Sequence, residues 1–492
     1  MSVICYNLAT GYHYQGLSMR SQASVSSSPV AQERLSQTRR GLAELLAQVK
    51  NWVERRERSD SRHQYVTQFK TLRAQLEHSL AEIERELSGV SASDGIRTVY
   101  ARCRVLDVRL LWVRRLWTYF QSKFDQREDK DLEPVLKAAD DIVWSCYAQP
   151  YQSMSIANRP AHPLPFIAPV YSPYAIPREE PPQDLRSDVD ADFFAEMLKQ
   201  LPIPVVGIPP QSVEEPWRLA FLAHEVGHHV QFDFEEGAMI DSFGALLKSV
   251  GKQRWGWWGK ELFADLYSLM MIGHWALWAL AELVWSSPAS MLDDTNPRYP
   301  CALVRLVLMA CVADKLGLSG SSALRGLTRE ELLERGPVIV QDRDVRESVR
   351  EDLNQVEAVA NAIAAAHKPP GGELSKLCGF NAADFKEYEG VAYLWGEALA
   401  GRASMTAEKQ LRSSRMVLSG GVRAWAEMCG MSGEDDRKLR RESLRTALPA
   451  SIVANGEEIV RAAAPVPQPD LTGRNQRLAD LLMRSDIPGL RL

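Results

Sequence analysis

Cysteine and histidine are scarce in this chain, which has seven cysteines and nine histidines among its 492 residues. The cysteines are scattered, their number is odd and no Cys-x-x-Cys pair occurs, so the sequence shows neither a disulfide framework nor a thiolate zinc site. Some of them, such as Cys301 and Cys311, lie in apolar runs. Reduced thiols of this kind are typical of cytosolic proteins, and the first residues show no basic stretch leading into an apolar core. We therefore expect a cytoplasmic protein.

The chain also lacks an excess of positive charge. Its formal net charge is -5 at pH 7, which gives no reason to expect a surface that binds nucleic acid. No glycine-rich phosphate loop, dinucleotide-binding fingerprint or internal repeat is recognisable. The sequence therefore gives no support to nucleotide-dependent enzymes or to repeat scaffolds.

Long apolar runs are rare as well. The stretch that most resembles a membrane span covers residues 266–285, and it carries His274 and Glu282. Two ionisable side chains within the run favour a buried core helix over a membrane helix. We expect this stretch to continue the helix that carries Glu261, and a membrane-attached protein is the alternative.

The remaining composition, with 45% hydrophobic and 25% charged residues, is that of a globular protein long enough for several domains. We expect a mainly α fold with a small β element, because apolar residues recur at three- and four-residue spacing through most of the chain. Five parts are predicted: a flexible terminus (1–30), a helical bundle or coiled coil (31–150), a proline-rich linker (151–187), a central core (188–320) and a C-terminal helical region (321–492).

The most informative stretch is the His-Glu-x-x-His motif formed by His224, Glu225 and His228. Residues four apart on an α-helix lie on one face, so His224 and His228 can direct their imidazoles at one ion. Glu225 lies beside them, where a carboxylate can act as the general base on a metal-activated water. The motif therefore indicates a zinc peptidase site that still needs a third protein ligand.

A second motif, Glu261-Leu-Phe-Ala-Asp265, offers that ligand. Its two carboxylates are one helical turn apart and share a face. Glu261 can complete a His, His, Glu ligand set, and Asp265 can accept a hydrogen bond from a ligand histidine and so fix its tautomer. The metzincin arrangement does not apply, because Gln231 and Phe234 stand where that pattern needs glycine and histidine.

Together, the two motifs resemble those of the gluzincins, a group of zinc peptidases that includes the thermolysin-like enzymes and the heat-shock and CAAX-prenyl endopeptidases. The resemblance covers roughly residues 202–305 and implies a zincin core embedded in further helices. It implies that a Zn²⁺ ion is held by His224, His228 and Glu261. It also implies that Glu225 is the general base and that Asp265 bonds to His224.

One position departs from this resemblance. Members of the heat-shock group carry Thr-His-Pro and then an arginine after the glutamate helix, whereas this chain has Asn296 at the histidine position, followed by Arg305. Without the histidine, stabilisation of the oxyanion would fall to Asn296, Tyr299 or Arg305.

These expectations combine into a zinc-dependent endopeptidase that hydrolyses a protein or peptide substrate. The substrate backbone would pair with Val205, Val206 and Gly207, which resemble the edge strand of such enzymes. The N-terminal helices offer a surface for a protein partner and suggest a dedicated substrate. The alternative is a catalytically impaired zincin-like scaffold or sensor that acts through those helices, and Asn296 is the residue that favours it.

Overall fold

The computed structural model shows a mainly helical protein with one small sheet, which confirms the expected fold class at this level. The structure describes residues 28–58, 65–155, 161–176, 203–233, 238–286, 288–318, 343–367, 382–404 and 413–462, together with residues 477, 480, 481 and 483. Nearly all of the terminus expected to be flexible, residues 1–30, lies outside the described residues.

Three long helices form the N-terminal bundle, namely α1 (Pro29–Glu57), α2 (Val66–Ser88) and α3 (Ile96–Asp125). Thr38 donates a hydrogen bond to Asp107, and Trp52 donates one to Asp125, so α1 and α3 run parallel. α2 lies against them in the opposite direction. Its Leu72, Leu76 and Leu80 recur at four-residue spacing and are buried in the core of the bundle.

The next helix, α4 (Glu133–Ser153), leaves the bundle and packs on the central helices. The hydroxyl of Tyr267 donates a 2.8 Å hydrogen bond to the carbonyl of Cys146 in α4. The apolar side chains of α4 belong to the same buried cluster as those around the His-Glu-x-x-His motif. Helical periodicity does not reveal which neighbour a helix faces, so the sequence alone could not place α4 against the central helices.

Three short strands, β1 (Leu164–Ile167), β2 (Tyr174–Ile176) and β3 (Val205–Ile208), form a sheet in the order β1-β3-β2. β1 is parallel to β3 and β2 is antiparallel to it. Both β1 and β2 come from the stretch expected to be a linker. Pro165 is tolerated in β1 because its backbone nitrogen faces away from β3. Its missing N–H therefore removes no hydrogen bond between the two strands. Its carbonyl accepts a 2.9 Å hydrogen bond from Arg127.

Val205, Val206 and Gly207 form the central strand of this sheet and not the edge strand that the sequence suggested. That prediction is wrong because β1 and β2, supplied by the proline-dense stretch, flank β3 on both sides. The strand edge that faces the motif belongs to β2.

β3 contributes to two hydrophobic cores. Val205 packs with the bundle, whereas Val206 and Ile208 pack with the central helices. Successive side chains of a strand point to opposite faces, which explains the division. Leu164 and Phe166 of β1 also join the bundle core. The sheet therefore lies between the bundle and the central helices and connects them.

The central helices are α5 (Gln211–Glu214), α6 (Phe221–Asp233), α7 (Ala238–Val250), α8 (Gln253–Trp257), α9 (Gly259–Ile272) and α10 (Trp275–Val284). The stretch expected to form one helix over 266–285 is divided between α9 and α10. Gly273 ends α9 with a φ of 68°, which glycine adopts at little cost. Beyond the break, His274 Nδ1 lies 3.0 Å from Glu389 Oε1. In the described part of the chain, no helix is both long and apolar enough to cross a membrane.

The C-terminal helices are α11 (Pro288–Met291), α12 (Ala302–Leu316), α13 (Arg343–His367), α14 (Ala382–Leu399), α15 (Ser414–Cys429) and α16 (Glu434–Ala462). They pack around the central helices. On α15, Arg415 donates hydrogen bonds to Ser145 and Gln149 of α4 at 3.0 and 2.9 Å. None of the described cysteines forms a disulfide, and all of them except Cys429 are buried.

Candidate metal centre

α6 and α9 approach each other closely where Gly227 meets α9. A Cβ atom on Gly227 would lie 3.0 Å from Cα of Ala264 and 3.1 Å from Cβ of Tyr267. Such distances are shorter than ordinary carbon contacts, so the crossing needs glycine at this position. The close approach brings the side chains of the two motifs to one place.

His224, His228 and Glu261 meet at this crossing, with one potential ligand atom from each lying within 4.8 Å of the others. Oε2 of Glu261 lies 3.4 Å from Nε2 of His224 and 3.2 Å from Nε2 of His228. Tetrahedral zinc, with ligand distances of about 2.0–2.1 Å, separates neighbouring ligand atoms by about 3.3–3.4 Å. The two separations from Glu261 to the histidine nitrogens thus match this spacing.

The carboxylate of Glu261 provides a further test of whether a cation fits. Its Oε2 atom is buried and forms no hydrogen bond of good geometry with any described residue. Burial disfavours its charged form, but contacts with His224 and His228 outweigh burial and hold the pKa of Glu261 well below its ordinary value. A buried, ionised oxygen beside two imidazole nitrogens is a suitable ligand for a divalent ion.

Each ligand histidine is oriented by a partner at its other ring nitrogen. Nδ1 of His224 lies 2.9 Å from Oδ1 of Asp265. Nδ1 of His228 lies 3.4 Å from Oε1 of Gln231. When Nδ1 carries the proton, Nε2 is left with a lone pair directed at the common point. The role of Gln231 was missed in the sequence, although its position one helical turn after His228 places it on the same face.

Asp265 is itself held by a buried arginine. Arg305 donates from Nε to Oδ2 at 2.5 Å and from Nη2 to Oδ1 at 2.7 Å. Burial opposes the charged form of Asp265, but Arg305 outweighs burial and lowers the pKa of Asp265. Burial also opposes the charge on His224, yet its contacts with Asp265 and Glu261 prevail and raise the pKa of His224 to about 10. Arg305 therefore helps to orient the His224 imidazole by holding Asp265 in place.

Glu225 is buried at the wall of the site, 6% exposed. Burial raises the pKa of Glu225, although the nearby imidazoles of His224 and His228 oppose the rise. The backbone N–H of Ala175 in β2 donates a hydrogen bond to its carboxylate. This contact brings the outer edge of β2 to the motif, and nothing in the sequence pattern around Ala175 indicates it.

A cleft with a volume of about 340 Å³ opens beside His224 and Glu225. Phe221 and the apolar side chains of α10, including Leu280 and Leu283, form much of its wall, and Tyr299 also lines it. Such a concave, mostly apolar cleft beside a candidate metal centre is the usual form of a binding site.

The three residues considered for oxyanion stabilisation lie in different environments. Asn296 is exposed, accepts a 2.9 Å hydrogen bond from the backbone N–H of Arg298 and is not among the residues that line the cleft. Arg305 lines the cleft but directs its guanidinium at Asp265. Tyr299 lines the cleft with the Arg305 guanidinium 5.0 Å from its ring centre. Burial raises the pKa of Tyr299, so its hydroxyl stays protonated and able to donate.

Searches of protein-family models, curated protein sequences and solved structures find no match to this chain. The functional interpretation therefore depends on the two motifs and on the geometry of the site. That geometry provides a candidate metal-binding triad, a carboxylate beside it and a cleft lined by His224 and Glu225.

Proposed function

We propose that this chain is a zinc-dependent endopeptidase of the gluzincin type. The observation that carries the proposal is the convergence of His224, His228 and Glu261 within 4.8 Å of one another, beside a cleft that His224 and Glu225 line. Ligands of this kind suit zinc, and three protein ligands leave the fourth position for a water molecule or substrate, as in catalytic zinc sites.

The residues of the cleft would divide the work of hydrolysis. A bound zinc ion would supply Lewis-acid polarisation of the scissile carbonyl and acidify a water molecule. Glu225 would accept the proton of the attacking water and pass it to the leaving amine, and its raised pKa suits a group that both takes and gives a proton. The hydroxyl of Tyr299 would donate to the developing oxyanion. Asp265 and Gln231 would keep the imidazoles oriented.

The proposed substrate is an extended segment of a protein. β2 is an edge strand of the described sheet and faces the site, and an edge strand can bind an extended peptide by backbone hydrogen bonds. The cleft wall formed by Phe221, Leu280 and Leu283 would accept apolar side chains. The large helical mass around the cleft supports a dedicated protein substrate in preference to general digestion.

A second candidate function is a zinc-binding scaffold or sensor without peptidase activity. Asn296 favours it, because this residue stands at the position of the heat-shock group's histidine and is exposed outside the cleft lining. In that case the bundle formed by α1, α2 and α3 would bind a protein partner, and Glu225 would be dispensable.

Elemental analysis tests the metal site, and peptide mapping tests the activity. We expect one zinc per chain in the wild type and in Glu225→Gln, and a large loss in Glu261→Ala. Protein substrates incubated with the wild type should gain new amino termini that are absent with Glu225→Gln. Zinc in the wild type without any Glu225-dependent cleavage would favour the scaffold, and a freshly purified wild type without metal would overturn both functions.

A further inference from the structure

Side chains from two different parts of the protein contact the outer edges of the small sheet. At β1, the N–H of Ile167 donates to Oε1 of Gln126 at 2.7 Å, and Nε2 of Gln126 donates to the carbonyl of Ile167 at 2.8 Å. Gln126 follows α3 at the end of the bundle. Its amide therefore pairs with β1 as the backbone of a neighbouring strand would.

The residue after Gln126 strengthens this junction. Arg127 donates from Nη2 to the carbonyl of Pro165 in β1 at 2.9 Å. The same guanidinium forms two hydrogen bonds with Asp140 of α4, at 2.9 and 2.7 Å, and the side chains of Arg127 and Asp140 are fully buried. The end of the bundle, β1 and α4 are thus fixed to one another by charged hydrogen bonds, which are among the stronger and more directional ones.

The opposite edge of the sheet contacts the candidate active site. Ala175 pairs in register with Val206 of β3, and its N–H points outward to the carboxylate of Glu225. β3 pairs in turn with β1, with Ile167 opposite Ile208. Neighbouring strands lie about 4.8 Å apart, so about 10 Å separates β1, which contacts Gln126, from β2, which contacts Glu225.

We propose that Gln126 is a positioning residue for Glu225 and acts through the hydrogen-bonded sheet. β1 and β2 are only four and three residues long, so few ladder hydrogen bonds of their own hold them in place. The two hydrogen bonds from Gln126 fix the position of β1, β3 carries that position to β2, and the N–H of Ala175 orients the Glu225 carboxylate. The bundle would then be part of the catalytic apparatus, an inference that rests on the proposed peptidase function.

A purely structural role for Gln126 predicts something different. In that case, removing the Gln126 amide would destabilise the contact between the bundle and β1 without changing the contact between Ala175 and Glu225. The substitution Gln126→Met separates these roles, because methionine keeps the length and volume of glutamine but forms neither hydrogen bond with Ile167. Ile83→Val is the matched control, since Ile83 is buried in the bundle core on α2 and remote from the sheet.

The experiment compares the wild type with both variants, each loaded with zinc and checked for metal content and thermal stability. Amide hydrogen exchange at Ala175 reports on the contact with Glu225 whether or not a substrate is known. We expect exchange at Ala175 to be about tenfold faster in Gln126→Met, as the loss of one hydrogen bond allows. We expect no change in Ile83→Val. Where a cleaved peptide is available, kcat should fall by about 10- to 100-fold in Gln126→Met with little change in KM.

Unchanged exchange at Ala175 in Gln126→Met would overturn the positioning role, as would an equal acceleration in Ile83→Val. A wild type that cleaves nothing would overturn the proposed peptidase but would leave the exchange result to decide whether Gln126 sets the position of β2. The two failures are therefore distinguishable.

Discussion

Arg305 on α12 and Asp265 on α9 are joined by two hydrogen bonds, at 2.5 and 2.7 Å, in the interior of the protein. Asp265 in turn lies 2.9 Å from Nδ1 of His224. The sequence suggested Arg305 as an oxyanion ligand, but its guanidinium is engaged by Asp265. Arg305 instead lies at the outer end of a row of contacting residues, Arg305, Asp265 and His224, which leads to the candidate metal centre.

Replacing Arg305 should weaken zinc binding without touching a ligand. Arg305→Met removes the partner of Asp265 and leaves a buried carboxylate uncompensated, which should cost about 3–5 kcal/mol of folding stability. Zinc affinity should fall by about 10- to 100-fold, the usual effect of losing such a supporting partner. Urea denaturation and competition with a chelator measure the two effects. Arg305→Lys keeps the charge and should lose less of both, so equal losses in the two variants would contradict the role of charge.

The close crossing of α6 and α9 predicts that Gly227 tolerates no side chain. Gly227→Ala would force its Cβ against Ala264 and Tyr267, which should cost about 1–3 kcal/mol and weaken zinc binding by moving the helices apart. Gly390→Ala is the control, because Gly390 lies in α14 with no atom within 4 Å of the added Cβ. It should leave zinc binding unchanged and raise stability by up to about 1 kcal/mol. Equal behaviour of the two variants in thermal melts would refute the tight crossing.

Tyr299 and Asn296 should differ in their effects on catalysis. Tyr299→Phe removes a hydroxyl in the cleft and should lower kcat by about 100- to 1,000-fold, the cost of losing one oxyanion donor. Its zinc content should equal that of the wild type, since the phenol is not one of the ligands. Asn296→Ala alters an exposed residue outside the cleft and should leave kcat within about twofold of the wild type. A larger loss from Asn296→Ala than from Tyr299→Phe, measured on one peptide substrate, would reverse the assignment.

Asp352 on α13 predicts a dependence of stability on pH. Its Oδ1 accepts a 2.8 Å hydrogen bond from Arg254, but burial, aided by the nearby Asp294 and Glu351, raises the pKa of Asp352 from 3.8 to about 6. Because the folded protein holds this proton more tightly than the unfolded chain, the stabilisation from Asp352 is complete below about pH 4 and is lost as the pH rises to about 6. At about 1.4 kcal/mol per pKa unit, the loss is at most about 3 kcal/mol.

Asp352→Asn provides the comparison, since an amide does not titrate. Urea denaturation at pH 4 and pH 7 measures the free energy of unfolding of both proteins. The value at pH 7 minus the value at pH 4 should be lower for the wild type than for Asp352→Asn, because only the wild type loses the stabilisation from Asp352. Identical differences in the two proteins would show that Asp352 has the same pKa in the folded and unfolded states.

The proximity of the candidate triad His224, His228 and Glu261 could be predicted because each motif depends on residues close in the sequence. The four-residue spacing of His224 and His228 fixes a shared helix face, and the same spacing relates Glu261 to Asp265. The resemblance to a known pair of motifs then linked the two helices. Gln231 has the same kind of local signal at three-residue spacing, but a single glutamine after a histidine is too common to stand out.

The sheet could not be predicted in the same way. The strand Tyr174–Ile176 is too short for an alternating pattern, and it lies among prolines that favour a linker interpretation. Its place beside β3 depends on backbone pairing with residues that are remote in the chain. The mistaken edge position of Val205 and the unforeseen contact between Arg305 and Asp265 have one cause in common. Each depends on which distant residue a strand or side chain meets.

The division of β3 between two cores has a consequence for how the protein unfolds. Val205 stabilises the bundle and Val206 stabilises the central helices, so neither core keeps its full complement of contacts once the other has melted. The bundle and the central helices should therefore behave as one cooperative unit, with a single calorimetric transition whose enthalpy matches the van't Hoff value.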